Sequence, residues 1–414
     1  MVNNTPDFIV DTHKEILNIE SVADILGIST ATVRNWIKSG QLPTYNKNNN
    51  HFFYRTDIEK IKSKLLSGEL EKLNKRANKI KAKRTFIPEE HIKTQNNLDE
   101  FNHVINFIQK NNIKTTTALF LLSLNLLKKE KILLTINFQD IKKDKELLFT
   151  NKQIQEEINS WVLDLRNENI KPHFSFLLDC KLPEQKDILG IFYQSLLFEG
   201  KKSQSGSYYT PSNIVNDIVK NYVKKDSKVL DPCCGTGQFL LAFADIVENP
   251  LNIYGIDYDK TAVRIARINI LMRFKNKDFA PNIFYKNTLF DIGNDDLFSF
   301  HDYKDIKNFD VIATNPPWGA HFSKAEIKRL KNLYPQITSF ESFSYFLTKS
   351  LSWLRPSGVV SFILPESILN VRTHKDIREI ILKIAQIKKI IYLNRIFKNV
   401  FTPVIRLDLG KNNK

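Results

Sequence analysis

Cysteine is scarce in this sequence: only Cys180, Cys233 and Cys234 occur, and two of them are adjacent. That excludes a disulfide framework and offers no zinc-ligand spacing. The eight histidines are scattered singly, without an HExxH run or a His/Cys cluster, so no metal is expected. No apolar run approaches the roughly 20 residues that a membrane-spanning helix needs. The start, MVNNTPDFIVDTHKEIL, lacks the basic segment, apolar run and small-residue cleavage site of an export signal. The expected setting is intracellular, in the cytoplasm, with no membrane partner.

The chain has 414 residues, 42% of them hydrophobic, enough for about two to three cores. Its net charge of +16 fits a polyanionic partner, although abundant Lys, Asn and Ile also follow from AT-rich codons. Local charge is more informative. Lys72 to Arg84 (KLNKRANKIKAKR) holds seven basic residues and no acidic one, and Lys72, Arg76, Lys79 and Lys83 share one face at helical spacing. Such a stripe either tracks phosphates or is a solvated linker helix.

Residues 13–67 read as a helix-turn-helix. In SVADILGISTATVRNWIKSGQLP, Val22, Ala23 and Leu26 make the inner face of a short helix and Gly27 supplies the turn. Ser29 can cap a second helix in which Val33, Trp36 and Ile37 point inward, leaving Thr30, Thr32, Arg34, Asn35 and Lys38 outward. The polar stretch Asn46 to Asn50 suits a turn between short strands, and Thr56 with Glu59 has capping-box spacing. This segment resembles the winged helix-turn-helix of the MerR and excisionase group, whose second helix enters the major groove of double-stranded DNA. The alternative is a small domain for protein contacts; the polar, basic outward set favours DNA.

A basic helical linker is expected over 68–97, and a helical domain over 98–202, where TTTALFLLSLNLL and DILGIFYQSLLFEG are apolar and carry few turn signals. Glu184 and Lys186 follow Asp179, but acid-x-Lys pairs arise by chance in so Lys-rich a chain, and no nuclease site is expected.

From 203 to 414 short apolar runs alternate with helical ones, as a doubly wound α/β sheet requires. Seven strands are predicted: 228–231, 253–257, 283–287, 310–315, 359–364, 387–393 and 404–409. The first ends in VLDPCCGTGQFLLA, where Asp231 closes the strand and Gly235 and Gly237 let the backbone pass closely beneath a ligand. A dinucleotide fingerprint would need a third glycine where Leu240 stands. The second strand puts Asp257 at its end, where a carboxylate can accept both hydroxyls of a ribose. The third ends near Asn287 and Leu289, suited to an adenine amino group and ring face.

The fourth strand leads into Asn315-Pro316-Pro317-Trp318. An exocyclic amino group on a base is a poor nucleophile, because its lone pair is delocalised into the ring. The Asn315 amide oxygen and the Pro316 carbonyl, held out of the ring plane, can accept its two hydrogens and draw the nitrogen toward tetrahedral geometry. The paired prolines fix the backbone, and Trp318 offers a flat face to the base. Positioning and dipoles then carry the catalysis, and no strong base is required. A rigid strand exit with a core Trp would be the non-functional reading of the same run.

On these residues the region resembles the gamma-type N6-adenine DNA methyltransferases, the Taq-type enzymes and type I modification subunits, over about Leu189 to Leu409. The resemblance implies a seven-stranded S-adenosylmethionine-dependent methyltransferase fold with S-adenosylmethionine as cofactor. GSYYTPSNIVNDIV is similar to the family's Tyr-Thr-Pro element, which implies that Tyr208, Thr210 and Pro211 close over the methionine end of the cofactor. Asp231, Gly235 and Gly237 match the cofactor loop, Asp257 the ribose acid and Asn287 the adenine contact, a position more often Asp in the family. In IIYLNRIFKNVFTPVIRL, Phe397 falls where the family places an aromatic residue against the flipped base, with Phe401 as second choice.

Family members usually continue after the last strand into a target recognition domain, whereas this sequence stops at Lys414. A separate specificity protein, the helix-turn-helix, or a truncated gene would each account for that. The expected function is site-specific methylation of adenine N6 in DNA within a restriction-modification system. N4-cytosine methylation, methylation of RNA or of a protein amide, and a DNA-binding regulator with an inactive fold are the competing readings.

Overall fold

A computed structural model describes residues 15–26, 30–38, 40, 42–47, 50–66, 92, 94–135, 148–166, 168, 173–197, 209–290, 307–319, 322–339, 341–397 and 402–412. The chain forms two compact units, Met1–Ala82 and Lys83–Lys414. The basic stripe Lys72 to Arg84 lies outside the described residues.

In the first unit, β1 (Ile16–Leu17) is followed by α1 (Ile19–Leu26), α2 (Thr30–Lys38), the hairpin β2 (Tyr45–Lys47) and β3 (Asn50–Tyr54), and α3 (Arg55–Leu66). The order β1-β3-β2 gives the small antiparallel wing. Val22 and Ala23 of α1 and Val33 of α2 are buried with Leu42, Phe53 and Ile58, as their helical spacing predicts. Gly40 follows α2 at φ +68°, a left-handed conformation that favours glycine. The Thr56 cap is corrected: α3 begins one residue earlier, and Arg55 donates to Glu59 and to Glu15 instead. The turn residues Gly27 and Ser29 lie outside the described residues.

The second unit opens with α4 (Gln95–Lys110), α5 (Thr115–Lys129), the pair β4 (Leu133–Thr135) and β5 (Leu148–Phe149), then α6 (Lys152–Asp164), α7 (Phe174–Asp179) and α8 (Ile188–Leu196). The acids and lysine considered for a nuclease are dispersed in separate ion pairs: Asp179 with Lys128, Glu184 with Lys129, and Lys186 with Asp245. There follow α9 (Ser212–Tyr222), β6 (Val229–Asp231), α10 (Gln238–Phe243), β7 (Ile253–Asp257), α11 (Lys260–Arg273), β8 (Asn282–Tyr285), β9 (Phe309–Thr314), α12 (Lys324–Leu333), α13 (Ser342–Trp353), β10 (Leu354–Pro365), α14 (Lys375–Ile384), β11 (Ala385–Asn394) and β12 (Val404–Lys411).

The sheet has seven strands in the order β11-β12-β10-β9-β6-β7-β8. All neighbours from β10 to β8 are parallel, and only β12 runs antiparallel to its two partners. Order and number are those of a doubly wound sheet, and all seven predicted strands are present. Two strand ends differ from the reading. β8 stops at Tyr285 and β9 at Thr314, so Asn287 and Asn315 stand just past their strands, in the loops.

Residues adjacent along a strand fall into different hydrophobic clusters, as the period of two demands. Val229, Val311 and Ile363 join the cluster that contains α5, α8, α10 and α11 side chains, whereas Leu230, Ile312 and Phe362 join the one with α13 and α14. A parallel sheet is covered on both faces for this reason. The helical stretch and the sheet share the first of these clusters, which runs from Ile92 to Val404. On β12 two charges, Arg406 and Asp408, take inward positions. They pair with each other, while Tyr222 and Ser361 donate to Asp408 and Arg406 also meets Asp217.

Candidate active site

The switch point of the sheet lies between β6 and β9, where crossovers run to opposite sides and strand ends leave a crevice. A cleft of about 540 Å³ opens there, within the roughly 300–1,000 Å³ typical of ligand pockets. Of the predicted residues, Thr210, Asp231, Gly235, Asp257, Asn287, Leu289, Asn315 and Pro317 line it. Pro211, Gly237, Pro316, Trp318 and Phe397 do not, and Tyr208 lies outside the described residues.

The glycine turn is built by short hydrogen bonds. Cys233 N donates to Asp231 Oδ1 over 3.0 Å, and Gly235 N donates to Asp257 Oδ2 over 2.8 Å. Gly237 sits at φ +96°, and a Cβ there would come within 3.2 Å of Ala266. The turn therefore needs glycine for backbone conformation and for its approach to α11. Asp257 Oδ1 also accepts Asp259 N over 2.9 Å, and Asp259 in turn caps α11 through Thr261 and Ala262.

Burial pushes the Asp231 carboxyl up to about 7 and that of Asp257 up to about 6, against the hydrogen bonds that favour their charge. Burial likewise holds the Cys233 and Cys234 thiols well above their usual range, which favours the protonated thiol at both positions. The carboxyls of Asp231 and Asp257, joined in the cleft lining by Asp259, suit a ligand that brings hydroxyl donors and positive charge. A nucleoside with a sulfonium and an ammonium group meets that donor set.

Asn287 turns its side-chain oxygen back to accept Leu289 N over 3.0 Å, and Thr288 donates to the Pro232 carbonyl over 2.6 Å. The loop after β8 is thereby tied to the loop after β6. Across the cleft, Gln238 clasps Thr210, accepting its N–H over 3.1 Å and donating to its carbonyl.

Several participants were not legible in the sequence. Asp187 caps α8 through Gly190 N, 3.1 Å away, and also accepts from Tyr209 Oη at 3.1 Å and Asn269 Nδ2 at 2.9 Å. Asn269 donates as well to the carbonyl of Thr236 in the glycine turn, 3.0 Å away. Burial raises Asp187 to about 7. An Asp three residues before a Gly at the head of an apolar run carries a capping signal, but nothing local shows that it also serves the cleft. Ser342 and Phe346 of α13 and Glu326 of α12 line the far side.

The acceptor run leaves β9 directly. Ser342 Oγ donates to the Pro317 carbonyl, and Trp318 Nε1 donates to the Ile363 carbonyl over 3.2 Å. Trp318 and Phe397 are brought together, with ring centroids 5.4 Å apart and planes at 73°. The two rings expected to stack on the base therefore lie side by side but not parallel. Phe397 is 6% exposed and meets Trp318 edge to face, the arrangement that aromatic quadrupoles favour, and the indole hydrogen bond holds it there. In the first unit Arg34 is exposed and Thr30 half-buried on α2; the side chains of Thr32, Asn35 and Lys38 lie outside the described set.

Among the described residues no group of three His, Cys, Asp or Glu side chains is placed to hold a metal, and no helix is long and apolar enough to cross a membrane.

The N-6 DNA Methylase family model matches residues 184–414, more than half of the chain, and a helix-turn-helix domain model matches residues 16–64. A Type II methyltransferase, M.VspI, from a Vibrio species is 27% identical over 402 residues, covering 96% of this chain and 74% of its own length. The methylase subunit of the MjaIX type I restriction enzyme of Methanocaldococcus jannaschii is 27% identical over 53% of this chain, which spans 40% of that subunit. The chain spans only 28% of RM.Eco57I, a Type II restriction enzyme and methyltransferase of Escherichia coli with 26% identity over 49% of this chain. A crystal structure described as a modification subunit of a type I restriction enzyme from Vibrio vulnificus superposes with a TM-score of 0.50, over 76% of this chain and 81% of that one, at 16% identity. That likeness shows the fold. With the sheet order, the cleft and the family match in agreement, the chain belongs to the N-6 DNA Methylase family, carries an N-terminal helix-turn-helix, and takes S-adenosylmethionine as its cofactor.

Proposed function

We propose that the chain transfers a methyl group to N6 of an adenine rotated out of duplex DNA, as the modification activity of a restriction-modification system in the cytoplasm. The observation that carries this reading is the position of Asn315-Pro316-Pro317-Trp318, which leaves the end of β9 at a cleft that Asn315 and Pro317 line together with Asp231, Gly235 and Asp257. The cofactor supplies an electrophilic methyl on a sulfonium. Gly235 and Thr236 would hold it from the glycine turn, Asp257 would accept the ribose hydroxyls, Asn287 and Leu289 would receive the adenine, and Thr210 with Pro211 would close the methionine end. Tyr208 belongs to the same closing element.

The acceptor side works through preorganised oxygens. The Asn315 amide oxygen and the Pro316 carbonyl take the two amino hydrogens, which returns the lone pair to the nitrogen. The methylated nitrogen is acidic and its proton passes to solvent, so no base is required. Trp318 packs against the extracted base, and Phe397 completes the stack once its ring rotates from the edge-on position.

Sequence reading is assigned to the helix-turn-helix, with Thr30, Thr32, Arg34, Asn35 and Lys38 toward the groove, and to a separate specificity protein. Supporting the latter is the match to proteins named as methylase subunits of type I restriction enzymes, one of which is M.jannaschii's MjaIX. The experiment is nucleoside mass spectrometry of duplex DNA incubated with the chain and labelled S-adenosylmethionine, alone and with its neighbouring gene products. N6-methyladenine is expected. N4-methylcytosine alone would overturn the adenine assignment, and label in neither base would favour a regulator with an inactive fold.

A further inference from the structure

One helix touches both halves of the cleft. Ser342, at the first turn of α13, is fully buried and donates its hydroxyl to the Pro317 carbonyl of the acceptor run. Phe346, one turn later, lines the cleft. Lys349, a further turn along, is 7% exposed, and its Nζ donates to the Leu289 carbonyl at 3.4 Å while lying 5.2 Å from the ring centre of Trp353. The spacing of four and three residues places these side chains on one helical face.

The torsions of the acceptor run show why the first contact matters. Asn315 precedes a proline and is confined to extended backbone. The φ angles of Pro316 and Pro317 are fixed by their rings, and Pro316 is confined a second time by the proline after it. The remaining soft angle is ψ of Pro317, which sets the direction of its carbonyl and the approach of Trp318. Ser342 holds that carbonyl. At the other end, Leu289 lines the part of the cleft assigned to the cofactor's adenine, and the hydrogen bond from Lys349 to its carbonyl restrains the backbone that carries its side chain. Arg329 of α12 supports the same wall by donating to the Phe290 carbonyl over 2.7 Å.

We propose that the Ser342–Phe346–Lys349 face of α13 is a strut that fixes the distance between the acceptor run and the cofactor wall, with Ser342 and Lys349 as positioning residues for the two sides. The assignment rests on the methyltransferase reading above. Two sides held by two residues of one helix should separate kinetically: the Ser342 end acts on the transfer step and the Lys349 end on cofactor affinity.

The test compares Ser342→Ala, Ser342→Thr and Lys349→Met with the parent chain, using calorimetric titration of S-adenosylhomocysteine and single-turnover transfer at saturating cofactor. Ser342→Ala should lower the transfer rate at least tenfold with S-adenosylhomocysteine affinity within about twofold, and Ser342→Thr should restore most of the rate. Lys349→Met should weaken S-adenosylhomocysteine about tenfold or more and leave saturated transfer within about threefold. If both variants shift both parameters in parallel, or neither shifts either, the strut is overturned while the functional reading stands. A parent chain that neither binds S-adenosylhomocysteine nor methylates DNA would overturn the reading and the strut with it.

Discussion

Asp257 on β7 and Gly235 in the turn after β6 are joined by a 2.8 Å hydrogen bond, so the acid assigned to the ribose also holds the loop that passes beneath the ligand. The two parts of the cleft proposed to hold the cofactor are one hydrogen-bonded piece. Asp257→Ala removes an acceptor from Gly235 and from Asp259 together, and it should weaken S-adenosylhomocysteine by roughly 2 to 4 kcal/mol. Calorimetry reads this directly, and unchanged affinity would show that the ribose acid is misplaced.

Asn315 is expected to behave in the opposite way. Asn315→Ala takes one acceptor from the amino group and leaves the cofactor wall intact. Methyl transfer should fall about a hundredfold or more, since one preorganised contact is worth roughly 3 to 4 kcal/mol. Near-parental turnover in this variant would rule out the acceptor mechanism.

The cleft should also be sensitive to pH through its buried acids. Asp231 and Asp187 are raised to about 7 and Asp257 to about 6, all above the ordinary carboxylate range. Groups raised in the folded state contribute stability that is full below the unfolded value of about 4 and is lost as pH rises through about 6 to 7. Thermal melts of the ligand-free protein between about pH 5 and 8 should therefore fall less steeply for Asp257→Asn than for the parent. Equal slopes would mean that Asp257 is already ionised across that range.

Much of the cleft was legible because its patterns are local. A strand end, a glycine turn and an acid at the end of the next strand are short patterns, and Asp231, Gly235 and Asp257 stand where those patterns put them, whereas Asn287 falls just past its strand. The helix-turn-helix core was legible for a similar reason, since Val22, Ala23 and Val33 follow helical spacing. Ser342, Asp187 and Gln238 were not, because each is an ordinary polar residue whose partner is distant in sequence: Pro317, Tyr209 and Thr210 respectively. The relation of Trp318 to Phe397 was half legible. Their proximity followed from the family resemblance, but their edge-on angle depends on where the Ile363 carbonyl holds the indole.

Arg406 and Asp408 invite a stability measurement. Arg406 is 1% exposed and Asp408 0%, and the pair sits inside the sheet face. Arg406→Ala leaves the Asp408 carboxylate buried without its cation, which typically costs about 3 to 5 kcal/mol. Replacing both, as Arg406→Met with Asp408→Leu, should cost distinctly less. Urea titration of the single and double variants separates these outcomes, and a double variant as unstable as the single would mean that the ion pair itself, not the orphaned charge, supplies the stability.

Exposed Arg34 on α2 provides a test of the reading helix. Arg34→Ala should weaken DNA binding, and if the contact is to phosphate, the slope of log affinity against log salt should drop by about 1. An unchanged slope with relaxed sequence preference would instead assign Arg34 to a base edge.

β12 comes after β11 in sequence but lies between β10 and β11. A growing chain that has already made β10 and β11 must leave a gap between them, and each strand presents an unsatisfied edge until β12 enters it. The entering strand also brings Arg406 and Asp408 to Tyr222, Asp217 and Ser361, so insertion and burial of the polar network happen together. Non-local insertion of this kind is paid for in loop-closure entropy before any contact rewards it. Refolding should therefore have a slow phase in which β6 to β9 are protected from amide exchange while β10 and β11 are still open, and during that interval the exposed edges are the places where chains would associate with one another.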